Sequence, residues 1–114
     1  MLPRSARLTS PDDFARTTKT GFRVTVSSLV GYLHLTHTQT PALCGLIISK
    51  NVGGSVVRHR IARQLRHNLR AHLELLPQGS RLVIRALPSA LTSNLSNEIE
   101  LLIPKLLIKS SVQK

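Results

Sequence analysis

The stretch Leu43-Cys-Gly-Leu-Ile-Ile-Ser-Lys-Asn-Val-Gly-Gly-Ser-Val-Val-Arg-His-Arg-Ile-Ala-Arg-Gln-Leu-Arg-His-Asn-Leu-Arg70 decides the fold of this chain. Residues 43–50 form an apolar, β-branched run, which predicts a strand that leads into the glycine pair at 53 and 54. After Ser55 the apolar residues recur at four-residue steps, as on one face of a helix. They are Val57, Ile61, Leu65, Leu69 and Leu73. The stretch therefore predicts a strand, a glycine turn and a helix that stops at Pro77.

The segment before this stretch predicts a helix followed by further strands. Ser10-Pro11 followed by two aspartates is typical of a helix start, because serine caps free N–H groups and acids favour the positive helix end. This first helix should be short and end by Gly21. Residues 22–36 alternate or are β-branched, which indicates one or two strands, and residues 36–41 read as a polar turn.

The segment after the stretch completes an α+β pattern. Residues 81–87 predict a strand ended by Pro88, and a last helix is expected from about Thr92, with Pro104 kinking it. The buried side of that helix would carry Leu95, Ile99, Leu102 and Leu106. The order is helix, two or three strands, helix, strand, helix, which predicts a single domain around one sheet of about four strands. We expect it to span residues 1–114, with short flexible ends at about 1–6 and 110–114.

The net charge points to a polyanionic partner. The chain has 16 Lys and Arg against 5 Asp and Glu, a formal charge of +11. A small domain so far from neutrality repels itself unless a polyanion is bound. The single cysteine, Cys44, cannot form a disulfide within the chain and reads as a small buried residue. Neither a signal peptide nor a run long enough to span a membrane is visible, so we expect a cytoplasmic protein.

Basic residues gather on the side of the central helix opposite its apolar face. We call this set the arginine face: His59, Arg60, Arg63, Arg66, His67 and Arg70, with Arg58 and Lys50 near its start. Solvated helix faces usually mix charge signs, whereas here like charges repel at four-residue spacing and an external anion would relieve them. Arginines in helical register suit bidentate phosphate contacts and stacking on bases. The pattern predicts RNA binding.

Two aromatic residues are candidates for base stacking as well as for the core. Tyr32 shares one strand face with Val30, His34 and Thr36, whereas Leu33 and Leu35 point the other way. A tyrosine on such a mixed face can stack on an unpaired base. Phe14 reads equally as core.

Other chemistries fit the sequence less well. A two-metal nuclease needs converging carboxylates, and this chain has only five acids. His34 and His37 lack a third ligand, so no metal site is expected. A membrane-surface helix normally carries Trp or Phe on its apolar side, and this apolar side is needed for the core. A DNA-binding helix–turn–helix needs helices in series, whereas the basic helix here lies between two strands.

At this point the chain resembles the bacterial ribonuclease P protein family. Residues 45–66, GLIISKNVGGSVVRHRIARQLR, are similar to the family signature, in which a strand ending Ser-Lys-Lys leads through a glycine turn to Arg-Asn-Arg-x-Lys-Arg. Arg7-Leu8, Asp13-Phe14 and Gly21 resemble the family's opening, and residues 81–88 its last strand. The match departs at four positions: Thr18 replaces an aromatic residue, Asn51 and Ala62 replace lysines, and His59 replaces asparagine.

The resemblance implies a left-handed β-α-β crossover and a role in the 5′ maturation of precursor tRNA, as the protein subunit of an endoribonuclease. A catalytic RNA with its Mg²⁺ ions would perform the cleavage, so no catalytic or metal-binding residue is expected in the protein. Binding to that RNA is implied for Arg58, His59, Arg60, Arg63, Arg66 and Arg70. Binding to the leader of precursor tRNA is implied for Phe14, Tyr32, Ser49, Lys50 and Arg85. No membrane and no obligate protein partner are expected, and the rival reading is a structural, ribosomal-type RNA-binding protein.

Overall fold

A computed structural model describes residues 6–36, 38–91 and 94–112 of the chain, without the side chains of 111 and 112. The elements follow the predicted order: α1 (Pro11–Thr20), β1 (Phe22–Val26), β2 (Leu29–Leu35), β3 (Leu43–Ile48), α2 (Ser55–Arg70), β4 (Ser80–Ala86) and α3 (Leu95–Val112). Short 3₁₀ turns lie between some of them, at Lys50–Val52, Leu73–Leu75 and Pro88–Leu91. The α+β class and the four-stranded sheet are confirmed.

The sheet has the order β1-β2-β4-β3. β1 and β4 each pair antiparallel with β2, whereas β3 pairs in parallel with β4. Because β3 and β4 run the same way, a crossover is needed between them, and α2 supplies it. The left-handed sense of that crossover stays a prediction from the family resemblance.

The larger core lies between the sheet and the two long helices. Alternate residues of the strands point to this face. Among them, Leu33 and Leu82 are fully buried against Ile61 and Leu65 of α2 and Leu102 of α3. The four-residue spacing of α2 and the predicted buried side of α3 are therefore confirmed. Gly31 allows α3 to approach β2, since a Cβ there would lie 2.8 Å from the Leu106 side chain.

The opposite face of the sheet carries a smaller core covered by α1. It contains Leu8, Val30, Tyr32 and Val83, with Phe14 packed against them. Ser10 caps α1 as predicted, its hydroxyl accepting the Asp13 N–H at 3.4 Å. The sheet thus separates α1 from α2 and α3.

Some predicted boundaries were wrong. α2 ends at Arg70, and Leu73 reaches the core from the following 3₁₀ turn, so its four-residue step does not prolong the helix. β3 ends at Ile48 and β4 begins at Ser80. α3 is described from Leu95, while the start predicted at residue 92 lies outside the described residues.

The last helix extends close to the end of the chain. α3 continues through Pro104 to Val112, and Ser110 is buried, while the flexible end predicted at about 110–114 stays a prediction. The kink expected at Pro104 stays a prediction. Most of the other predicted flexible end, at residues 1–6, lies outside the described part of the chain.

Candidate nucleic-acid interface

The outer side of α2 presents the arginine face to solvent. Its helix buries Ile61, Leu65 and Leu69, which orients the basic residues away from the sheet. The exposed members are His59, Arg60, Arg63, His67 and Arg70, while Arg58 and Arg66 are half-buried. A groove of about 570 Å³ runs between these side chains and is lined by Val56, His59, Arg60, Ala62, Arg63 and Arg66. The structure therefore brings most of the predicted RNA-binding side chains into one surface.

The arginine face has no acidic residue near it in the sequence. No Asp or Glu occurs between Asp13 and Glu74. The half-buried Arg58 even has an Nε atom with no hydrogen-bond partner among the described residues. Guanidinium groups left without carboxylates keep their donors available for phosphate oxygens. Binding of an external anion by this face stays a prediction.

The turn before α2 adds a further basic group to this region. Lys50 is exposed in the 3₁₀ turn after β3, where Ser49 donates a hydrogen bond to the Asn51 side chain. Gly54 precedes α2 without a side-chain cap, and the first turn of α2 contains no acid. An uncapped helix start favours anions because its N–H groups are free and the helix dipole is positive there.

The α1 side of the sheet carries the residues implied in leader binding. Phe14 packs its ring against Gly45, where an added Cβ would overlap the ring atoms. Beside it lies an apolar groove of about 510 Å³, lined by Thr9, Pro11, Phe14, Ala15, Thr18 and Ile47. Thr18, which replaces the family's second aromatic, turns its hydroxyl back onto the Phe14 carbonyl at 3.0 Å. Phe14 is therefore both a packing residue and part of a surface groove.

The other implied leader residues meet at one end of the sheet, with one exception. Arg85 is exposed and is the partner in the β3–β4 register of Ile47, which lines that groove. Ser49 and Lys50 follow the end of β3 and lie at that same end, since β3 and β4 are parallel. Tyr32 lies deeper, in register with Val83.

Tyr32 occupies the predicted face of β2 but is nearly buried. Only 9% of its surface is exposed, and its ring belongs to the smaller core. The guanidinium carbon of Arg23 lies over the ring, 5.9 Å from its centre. Alternation therefore predicted the face correctly, whereas stacking of a base directly on this ring has little room in the structure. The leader-binding role of Tyr32 stays a prediction.

Sequence reasoning missed Arg23 and Arg81, two cations on the α1 side of the sheet. Arg23 pairs with Tyr32 across β1 and β2, and Arg81 pairs with His34 across β2 and β4. Both follow from the strand alternation once the register is known. Without the register, single arginines in short strands give no signal.

Neither metal binding nor thiol chemistry is indicated. In the described residues no cluster of three or more His, Cys, Asp or Glu side chains could hold a metal ion, and His37 lies outside them. Burial raises the pKa of the Cys44 thiol to about 12, with Arg66 lowering it to a lesser extent. Cys44 therefore stays a neutral packing residue. Within the same ranges, no helix is long and apolar enough to cross a membrane.

Comparisons with known proteins agree with this geometry. Residues 2–109 match the family model described as Ribonuclease P. The ribonuclease P protein component of Acidothermus cellulolyticus is 43% identical over 91 residues, covering 79% of this chain and 76% of that protein. The one from Mycobacteroides abscessus is 44% identical over 104 residues, covering 82% and 78%. The solved Staphylococcus aureus RNase P protein superposes with a TM-score of 0.78 at 25% identity, covering 89% of this chain and 96% of that one.

Proposed function

Because the chain belongs to the ribonuclease P protein family, we propose that it binds the catalytic RNA through the arginine face and the 5′ leader of precursor tRNA on the α1 side of the sheet. The observation that carries the proposal is the arginine face, an acid-free cationic helix surface around a groove of about 570 Å³. The groups facing that groove suit phosphates and bases.

The two proposed RNA surfaces lie on opposite sides of the sheet. α2 packs on the larger core, whereas Phe14 and Arg85 belong to the side that α1 covers. The catalytic RNA and the leader would therefore not compete for the same side chains. A protein placed between them would hold the leader against the catalytic RNA and raise the affinity for precursor over mature tRNA.

We assign the cleavage chemistry to the RNA. The five acids do not converge: Asp12 and Asp13 lie in the first turn of α1, and Glu98 is occupied by hydrogen bonds from Ser28. Two-metal catalysis needs carboxylates that meet at one place. Mg²⁺ would be held by the RNA in the holoenzyme. A cytoplasmic location and independence from an obligate protein partner stay predictions.

Purification and reconstitution test the proposal. The tagged protein should co-purify with one abundant RNA of several hundred nucleotides, whereas a ribosomal-type protein would bring down ribosomal RNA. Rigorously RNA-free protein should give no specific 5′-end cleavage of precursor tRNA at any Mg²⁺ concentration, and adding the co-purified RNA should restore it. Specific cleavage by the protein alone would contradict the assignment of chemistry to the RNA.

A further inference from the structure

An arginine lies over the tyrosine on which a leader base was expected to stack. Arg23 and Tyr32 are direct partners in the β1–β2 register, and the guanidinium carbon lies 5.9 Å from the ring centre. Only 9% of the Tyr32 surface is exposed to solvent, whereas Arg23 is an exposed residue. An arginine over an aromatic ring is held by the attraction of the cation to the ring face. The group that meets solvent here is therefore the guanidinium.

The position of Arg23 is fixed from two sides, while its donors stay available. The Lys109 ammonium donates a hydrogen bond of 2.8 Å to the Arg23 carbonyl, which ties β1 to the end of α3. The Tyr32 ring supports the guanidinium from the sheet side. Among the described residues, the Arg23 guanidinium makes neither an ion pair nor a hydrogen bond. A flat cation held in this way has an open outer face and open N–H edges.

We propose that Arg23 is a stacking platform for an unpaired nucleotide of the precursor leader, with Tyr32 as its support. The proposal rests on the proposed function. A guanidinium plane stacks on bases of any sequence, and its N–H edges bond phosphate or base oxygens. Arg23 and Tyr32 lie on the same side of the sheet as Phe14 and Arg85. Arg23 lies on β1, at the edge of the sheet opposite that groove, and α1 packs on β2 and β4 between them, so leader nucleotides would pass around α1 to reach Arg23.

Two substitutions of Arg23 test the proposal by separating the effect of the planar guanidinium group from that of its positive charge. Arg23→Lys keeps the charge and loses the plane, so the holoenzyme should bind precursor tRNA about ten-fold more weakly with an unchanged salt slope. Arg23→Ala should also lower that slope by about 0.7, the value for one contact to a single strand. Affinity for mature tRNA should not change in either variant. Thr25→Ala is the matched control, because Thr25 is exposed on the same face of β1.

Leaders with single abasic nucleotides give a second, independent measurement. At one position, removing the base should weaken wild-type binding, and on that RNA Arg23→Lys should cause no further loss. The stacking role of Arg23 would be wrong if Arg23→Lys bound precursor tRNA with wild-type affinity. It would also be wrong if this variant lost as much affinity for mature tRNA as for precursor tRNA. If Phe14→Ala and Arg85→Ala still weaken precursor binding selectively, the proposed function stands without it. If no variant on this side does so, leader binding itself is wrong.

Discussion

Removing two arginines from the centre of the arginine face should change how salt affects binding of the catalytic RNA. Arg60 and Arg63 are both exposed and line the same groove on α2. Each contact to a phosphate adds about 0.7 (single strand) to 0.9 (duplex) to the slope of log affinity against log salt. The Arg60→Ala, Arg63→Ala double variant should therefore have a slope shallower by about 1.4 to 1.8. Over a four-fold rise in salt, that difference corresponds to about ten-fold in affinity.

Filter binding or fluorescence anisotropy with the catalytic RNA, repeated from low to high salt, measures this slope. The matched control is Arg16→Ala with Lys19→Ala, which removes the same charge from exposed positions of α1 on the other side of the sheet. The control should keep the wild-type slope, and both proteins should show similar thermal melts. A wild-type slope in the double variant, or an equal loss in the control, would mean that the arginine face is only a solvated surface.

Substitutions at three further positions test the α1 side and the two cores. Tyr32→Ala should lower the affinity of the holoenzyme for precursor tRNA and leave its affinity for mature tRNA unchanged. Because the ring is buried, the same variant should lower the melting temperature by about 10 °C. Tyr32→Phe should resemble wild type in both assays. Glu98→Ala should cost about 2 kcal/mol of unfolding free energy in a urea titration, since the buried carboxylate accepts the Ser28 N–H at 2.7 Å and its hydroxyl at 2.8 Å; an unchanged midpoint would contradict this. Gly45→Ala should cost about 1–3 kcal/mol in the same titration, because the methyl group displaces the Phe14 ring, and a neutral effect would show that α1 shifts freely.

The sequence predicted the helices and strands well where periodicity is strong, and boundaries less well. The four-residue spacing from Val57 to Leu69 corresponds to the buried side of α2. Leu73 continues that spacing outside the helix, because a side chain in the following 3₁₀ turn reaches the same core. A hydrophobic period records which side chains are buried, and it does not record the backbone hydrogen bonds that end a helix.

The candidate site divides in the same way. The arginine face needed only helical geometry and the absence of acids, so it was predictable residue by residue. The surroundings of Tyr32 come from Arg23, its partner on β1, and from the smaller core under α1. Such contacts join residues far apart in the sequence or depend on register, and alternation alone does not contain them.

The contacts at both edges of the sheet also bear on how the protein avoids aggregation. Unpaired strand edges are templates for aggregation, and a growing β-structure needs free backbone groups. At β3 the Leu8 N–H already bonds the Cys44 carbonyl at 2.9 Å, and at β1 the Lys109 ammonium occupies the Arg23 carbonyl. Each edge strand therefore has at least one backbone carbonyl already occupied, which hinders edge-to-edge association, and the charge of +11 adds repulsion between copies.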